Sequence, residues 1–204
     1  MACTLVLMRH GEIKANRRRR WHGATDSPLL WRGRRQARAL GRYAARRYAR
    51  LEALYVSPLQ RCQATAGPLS ERLGLPIRTE TGLAEWDVGA FEDMPFAELA
   101  EREDFFNRVL EDPDYAPPGG ESLNAVSARL TATLAKIARA HSYPDFDSCV
   151  GVVGHGAAFQ VALAALIDET PKRWQSYQIA NCSITELLLD PEPYVEAYNH
   201  THFL

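Results

Sequence analysis

Two apolar runs that each lead into a histidine constrain this chain more than any other feature. Thr4-Leu5-Val6-Leu7-Met8 runs directly into Arg9-His10-Gly11-Glu12, and Cys149-Val150-Gly151-Val152-Val153 runs into Gly154-His155-Gly156. Short, largely apolar runs of this kind read as strands buried on both faces, as in parallel sheets covered by helices. Each histidine then leaves the carboxyl end of its strand. In open α/β sheets that edge is where ligands bind. Two histidines and an arginine delivered there make a site that can bind a phosphate and attack it.

The rest of the chain alternates in the same way. Residues 32–50 read as a helix, with Arg34, Arg38, Arg42 and Arg46 every four residues on a face opposite Ala37, Leu40 and Ala44. Residues 53–56 read as a second strand, followed by a helix over about 59–73 that stops at Gly74 with Pro76 just beyond. A short strand is expected at 77–79, a long loop at 11–31 and a polar segment at 82–93. Residues 95–111 look helical. Ser122 is a good N-cap for a helix whose Leu123, Val126, Leu130, Leu134 and Ile137 form a core-facing stripe. The segment 157–167 is apolar nearly all round and is expected to be a buried helix. Two late strands, about 183–189 and 194–199, complete the sheet. This alternation predicts an α/β fold, a three-layer α/β/α sandwich around a largely parallel sheet, in one domain over residues 1–204.

Composition narrows the function classes. The net charge is −1, yet residues 1–50 hold 13 Arg and Lys14 against Glu12 and Asp26. A basic segment can signal nucleic acid. Here the regular arginine spacing reads instead as one solvated helix face. Arginine outnumbers lysine 21 to 3 along the whole chain, which reads as genome-wide codon bias. No nucleic-acid partner is expected. No apolar run reaches membrane-span length and Met1-Ala2-Cys3-Thr4 carries no basic leader, so a cytoplasmic protein without a membrane partner is expected. The four cysteines, Cys3, Cys62, Cys149 and Cys182, show no C-x-x-C spacing and read as small buried hydrophobes. Oligomeric state is open on the sequence, a homodimer included.

Further motifs fall in order along the chain. Arg9-His10-Gly11-Glu12 is followed by Asn16, then by Arg20-Trp21-His22-Gly23 with Asp26-Ser27-Pro28-Leu29, and by Gly33 with Gln36-Ala37. Ser57-Pro58-Leu59 precedes Arg61-Cys62 and Thr65-Ala66. Leu83-Ala84-Glu85-Trp86 precedes Gly89 and Glu92, and Gly119-Gly120-Glu121-Ser122, Gly154-His155-Gly156 and Asn181-Cys182-Ser183 close the set. In this order the chain resembles the histidine phosphatase superfamily, in its phosphoglycerate-mutase-like branch, over nearly its whole length.

The resemblance implies a phosphoglycerate-mutase-like fold and a set of roles. His10 would be the nucleophile: a neutral imidazole has a free ring nitrogen that can form a phosphohistidine, while its other nitrogen donates to a backbone carbonyl such as that of Gly11. Arg9 and Arg61 would clamp the transferring phosphoryl group, Arg61 from the first turn of a helix. His155, if protonated, would hydrogen-bond a phosphoryl oxygen, with the amides of its helix also facing the anion. Glu85 would shuttle the proton to the leaving alkoxide and from the later water. Glu92, Asp87 and Asp93 are close rivals in sequence. Asn16, His22 and the backbone at Gly23 would contact substrate. The scheme uses no metal and no other cofactor; the implied partner is a small phosphorylated substrate.

Two positions depart from the pattern. His22 stands where similar proteins often carry an uncharged polar residue, and Asp93 stands where glycine is usual. Both bear on substrate identity rather than on chemistry. The extra segment of the longer mutases after the proton-donor glutamate is missing between Glu85 and Gly120, which favours a phosphatase over a mutase. Residues 95–120 are expected to cap the pocket, which suits a small substrate better than a phosphoprotein. A non-catalytic phospho-ligand module would have lost His10 or Glu85; both are present.

Overall fold

The computed structural model describes residues 3–204. The chain runs β1 (Cys3–Arg9), α1 (Lys14–Arg18), α2 (Trp31–Arg47), β2 (Ala53–Val56), α3 (Gln60–Leu73), β3 (Ile77–Thr79), α4 (Phe96–Glu101), α5 (Phe105–Glu111), α6 (Leu123–Ala140), β4 (Ser148–Gly154), α7 (Gly156–Ile167), β5 (Ile184–Leu188) and β6 (Tyr194–His200). Three short 3-10 turns lie at Thr81–Leu83, Gly89–Phe91 and Pro171–Ser176.

The six strands form one sheet in the order β3-β2-β4-β1-β5-β6. The first four are mutually parallel, whereas β5 runs antiparallel to β1 and β6 antiparallel to β5. Side chains alternate across the sheet, and β1 shows the consequence. Val6 and Met8 pack with Leu40 and Ala44 of α2 and Cys62, Ala66 and Leu69 of α3. Leu5 and Leu7 join the other core, with the Leu123, Val126, Leu130 and Leu134 stripe of α6 and the apolar α7. The expected three layers are therefore present. The four periodic arginines of α2 all face solvent.

The register of β1 against β4 matters most for function. Arg9 pairs with Gly154, so His10 and His155 leave the sheet side by side. The Ser122 hydroxyl accepts from Ala125 N, as an N-cap should. Two expectations are corrected. The 11–31 segment is not all loop, because α1 occupies Lys14–Arg18. The 95–111 stretch is two helices rather than one, broken at Asp104, which adopts a left-handed φ of 49°.

Candidate active site

His10 lies at the carboxyl edge of β1, 2% exposed, with Nδ1 2.8 Å from the Gly11 carbonyl oxygen. A carbonyl only accepts, so Nδ1 carries the proton and Nε2 keeps its lone pair. Burial, then the Arg9 and Arg61 guanidinium groups, push the His10 pKa well below the ordinary imidazole value. The ring is thus neutral. Gly11 is needed here because its backbone crosses that of Gly33: a Cβ on Gly11 would stand 2.6 Å from the Gly33 carbonyl oxygen. The Gly11 amide donates to Thr65 Oγ1, which in turn donates to the Arg61 carbonyl, so the loop after β1 is tied to the first turns of α3.

His155 is the N-cap of α7 and is fully buried, its ring centroid 5.2 Å from that of His10. Arg61 Nε donates to its Nδ1 at 3.2 Å, and its Nε2 lies 2.7 Å from Ser57 Oγ. Arginine can only donate, so the His155 proton is on Nε2 and the ring is neutral. Burial first, then Arg61, His10 and Arg9, hold its pKa well below the ordinary value. The protonated His155 of the sequence reading is therefore not the form found here.

Arg61 is also fully buried, and each of its N–H groups has a partner. Beyond His155, Nη1 meets the Thr25 carbonyl at 2.8 Å and Asp26 Oδ1 at 3.5 Å, and Nη2 meets the His22 and Gly23 carbonyls at 3.1 and 2.8 Å. Glu92 grips the same loop from its other side, accepting from the amides of Gly23, Ala24 and Thr25. One arginine thus gathers the carbonyls of His22, Gly23 and Thr25, and one glutamate gathers the amides of Gly23, Ala24 and Thr25. At Gly23, whose backbone was expected to contact substrate, the amide is taken by Glu92 and the carbonyl by Arg61. Arg61 stands behind the pocket rather than holding out a free fork.

A cavity of about 400 Å³ opens over this edge. Arg9, His10, Asn16, His22 and Glu85 line it; Arg61, His155 and Gly23 are not among its lining residues, although the His155 ring stands 5.2 Å from that of His10. Arg9 Nη1 donates to the Ile179 carbonyl, and its guanidinium fills space left by Gly156, where a Cβ would stand 2.9 Å from Arg9 Cζ. Asn181 Nδ2 donates to Asn16 Oδ1 at 3.2 Å and the Ile13 amide donates to the same oxygen at 3.1 Å. With its oxygen so occupied, Asn16 offers its NH2 to the cavity.

The four acids that the sequence placed close together occupy different positions. Glu85 lines the cavity; Glu92 is held by the 23–25 amides, Asp87 accepts from Gly89 N, and Asp93 sits at the rim. The Glu85 carboxylate accepts from Ala158 N at 2.7 Å, Ala157 N at 3.2 Å and its neighbour Trp86 N at 3.0 Å. It therefore caps the N-terminus of α7, whose dipole favours an anion. Those amides had been expected to face the phosphate. At α3 the first amide, Gln60 N, is likewise occupied, by Asp26 Oδ2 at 2.7 Å.

The outer wall brings residues the sequence did not single out: Phe96 of α4, Phe106 of α5, Gln160 of α7, and Trp174, Gln175 and Gln178. Trp21 and Trp174 of this wall meet Trp86 and Phe105 in a cluster of edge-to-face or tilted rings at centroid distances of 5.5–6.2 Å. The two departures from the family pattern touch each other. His22 Nε2 lies 2.9 Å from Asp93 Oδ1, its Nδ1 2.9 Å from Ser27 Oγ, and Arg20 pairs with Asp93 Oδ2 at 3.2 Å. Among the described residues no group of three or more His, Cys, Asp or Glu is arranged to hold a metal ion.

Residues 5–201 match the histidine phosphatase superfamily, branch 1. The chain belongs to that family. It is 32% identical over 203 residues to the bifunctional protein Rv2228c of Mycobacterium tuberculosis, covering 98% of this chain and 54% of that protein. The chain therefore spans about half the length of such relatives. It is 33% identical to the uncharacterized phosphatase PhoE of Bacillus subtilis, covering 96% of this chain and 93% of that one. The solved structure of mycobacterial glucosyl-3-phosphoglycerate phosphatase Rv2419c complexed with VO3 superposes with a TM-score of 0.82 at 30% identity, over 97% of this chain and 99% of that one. Of the motif residues, Arg9, His10, Asn16, His22 and Glu85 line the cavity, and no helix among the described residues is long and apolar enough to cross a membrane.

Proposed function

We propose that this histidine phosphatase hydrolyses a small phosphomonoester through a phosphohistidine on His10, without a metal. The observation that carries the reading is the His10 ring: neutral, fixed through Nδ1, with Nε2 free in a cavity that Arg9, Asn16 and Glu85 also line. In the first step Nε2 bonds to phosphorus as the bond to the leaving oxygen breaks, and Glu85 gives that oxygen its proton. In the second, water attacks phosphorus, Glu85 takes the water's proton, and the P–N bond breaks to restore His10. Arg9 and the Asn16 amide meet the phosphoryl oxygens. Arg61 and His155 act from behind, Arg61 as buried positive charge that favours the anionic transition state.

The segment 95–120 serves as a cap, since Phe96 and Phe106 supply part of the wall. A concave pocket of about 400 Å³ is of the size that takes a small metabolite. Four free cysteines, three of them buried, fit a reducing cytoplasm. The mycobacterial neighbour whose name carries glucosyl-3-phosphoglycerate makes sugar and glycerate phosphates the first compounds to try. The test is phosphate release from a panel of phosphometabolites and p-nitrophenyl phosphate in EDTA, with His10→Ala as control. Release that survives EDTA and vanishes in His10→Ala is expected. Release that persists in His10→Ala overturns the mechanism, and isomerisation of 3-phosphoglycerate without release makes the protein a mutase.

A further inference from the structure

A second arginine, outside the quoted motifs, holds the backbone around Glu85 from behind. Arg129 projects from α6, and its guanidinium gathers the backbone around Glu85. Nη1 donates to the Gly82 and Ala84 carbonyls at 3.0 and 2.9 Å, and Nη2 to the Glu85 carbonyl at 3.3 Å. Its remaining donors form a two-point contact with Glu121, Nε to Oε1 at 2.7 Å and Nη2 to Oε2 at 2.6 Å. Glu121 also reaches the far side of the shuttle. Its Oε2 accepts from Asp87 N, its carbonyl from Trp86 Nε1, and its own amide donates to the Asp87 carbonyl. The pair thus brackets residues 82–87, with Glu85 in the middle.

This arrangement does more than satisfy a loop. The Glu85 carboxylate is held at one end by the α7 amides, and its backbone at the other end by Arg129. Proton transfer needs the carboxyl within hydrogen-bond reach of the leaving oxygen, and displacements of about 1 Å at such a group cost up to about 100-fold. Three carbonyls converging on one guanidinium need several donors in a fixed plane. Arginine presents five and lysine three on a flexible stem. We propose that Arg129, locked by Glu121, is a positioning residue that sets Glu85 for proton transfer to the leaving group.

The inference rests on the reading of Glu85 as the shuttle, and its test separates the two. Glu85→Gln, Arg129→Lys, Arg129→Met and Glu121→Gln are compared by kcat/KM on an alkyl phosphomonoester and on p-nitrophenyl phosphate. The aryl leaving group departs without a proton; the alkoxide does not. Glu85→Gln is expected to lose about 100-fold or more on the alkyl ester and far less on the aryl ester. Arg129→Met should show the same bias, with the alkyl loss at least about tenfold greater than the aryl loss, and Arg129→Lys should fall between it and wild type. Inhibition by inorganic phosphate should be unchanged in the Arg129 and Glu121 variants, because Arg9, His10 and Asn16 are untouched. Glu121→Gln, at a partly exposed side chain, carries the same test should Arg129→Met fail to fold. Equal losses on both esters overturn the positioning role. A bias in Glu85→Gln that is absent from the Arg129 and Glu121 variants overturns it while leaving the shuttle intact. No bias in Glu85→Gln removes both.

Discussion

The floor and the rim of this pocket are held by different kinds of contact. On the floor, backbone atoms fix each side chain: the Gly11 carbonyl holds His10, the α7 amides hold Glu85, and the His22, Gly23 and Thr25 carbonyls hold Arg61. At the rim, side chains hold one another. Arg20, His22, Ser27 and Asp93 form a chain of contacts at the surface, and the Asp93 side chain is 58% exposed. Of these anchors the α7 amides belong to a buried helix, and the loops at Gly11 and at residues 22–25 are tied to α3 through Thr65 and Arg61. Contacts between exposed side chains contribute little to stability and can be exchanged cheaply. The floor is thus suited to invariant chemistry and the rim to choice of substrate.

The sharpest way to break this comparison is at the floor. His10→Ala should lower phosphate release by about a thousandfold or more on every substrate, as loss of a covalent nucleophile does. Steady-state kinetics against the whole panel checks it; a loss confined to some substrates would make His10 a specificity residue. Gly156→Ala comes next. The added methyl would stand 2.9 Å from Arg9 Cζ and push the guanidinium aside, so kcat/KM should drop roughly 10- to 100-fold. Weaker inhibition by vanadate should accompany that drop.

The rim should respond differently. Asp93 holds a left-handed φ of 57°, a conformation glycine adopts at no steric cost. Asp93→Gly should relieve that strain while freeing His22 and Arg20, leaving thermal stability near wild type. Turnover of p-nitrophenyl phosphate should barely change, but the ranking of phosphometabolites should. A uniform loss across the panel would place Asp93 with the floor.

The smallest expected effect is on pH dependence of stability. His10 and His155 are held neutral, with pKa values well below that of an unfolded histidine. The unfolded chain therefore binds more protons as pH falls through about 6.5, and stability should decline there toward the depressed folded values. Thermal midpoints between pH 7.5 and 5 should show this fall, and a shallower one in a His155→Gln variant. An identical slope in that variant would mean His155 is charged in the folded protein.

Much of the floor was legible because it lies close to strand ends. Apolar runs at Leu5–Met8 and Val150–Val153 locate the two histidines, and a carbonyl beside His10 is the nearest partner for its second nitrogen. The helix of residues 123–140 was visible from its stripe, but Arg129 on it was not: nothing in its neighbours signals that Gly82, Ala84 and Glu85, more than forty positions away, converge on it. The pairing of His22 with Asp93 was hidden for the same reason. Each residue stood out alone as a departure, and only the folded chain shows that they are one feature. Arg61 was found but its surroundings were not, since five partners drawn from loop carbonyls, one acid and one histidine have no linear pattern.

By itself the sequence determined the alternation of strands and helices and the edge of the sheet at which His10 and His155 leave their strands. Those follow from periodicity and from immediate neighbours, which act over a few residues. Tertiary structure alone decided that Arg61 and His155 stand behind the pocket rather than in it, that Glu85 occupies the α7 amides, and that Arg129 braces it. These depend on which distant backbone groups reach a buried charge first. Burying a charge is costly unless it is hydrogen-bonded, so each such group takes whatever partners the packed layers bring within reach.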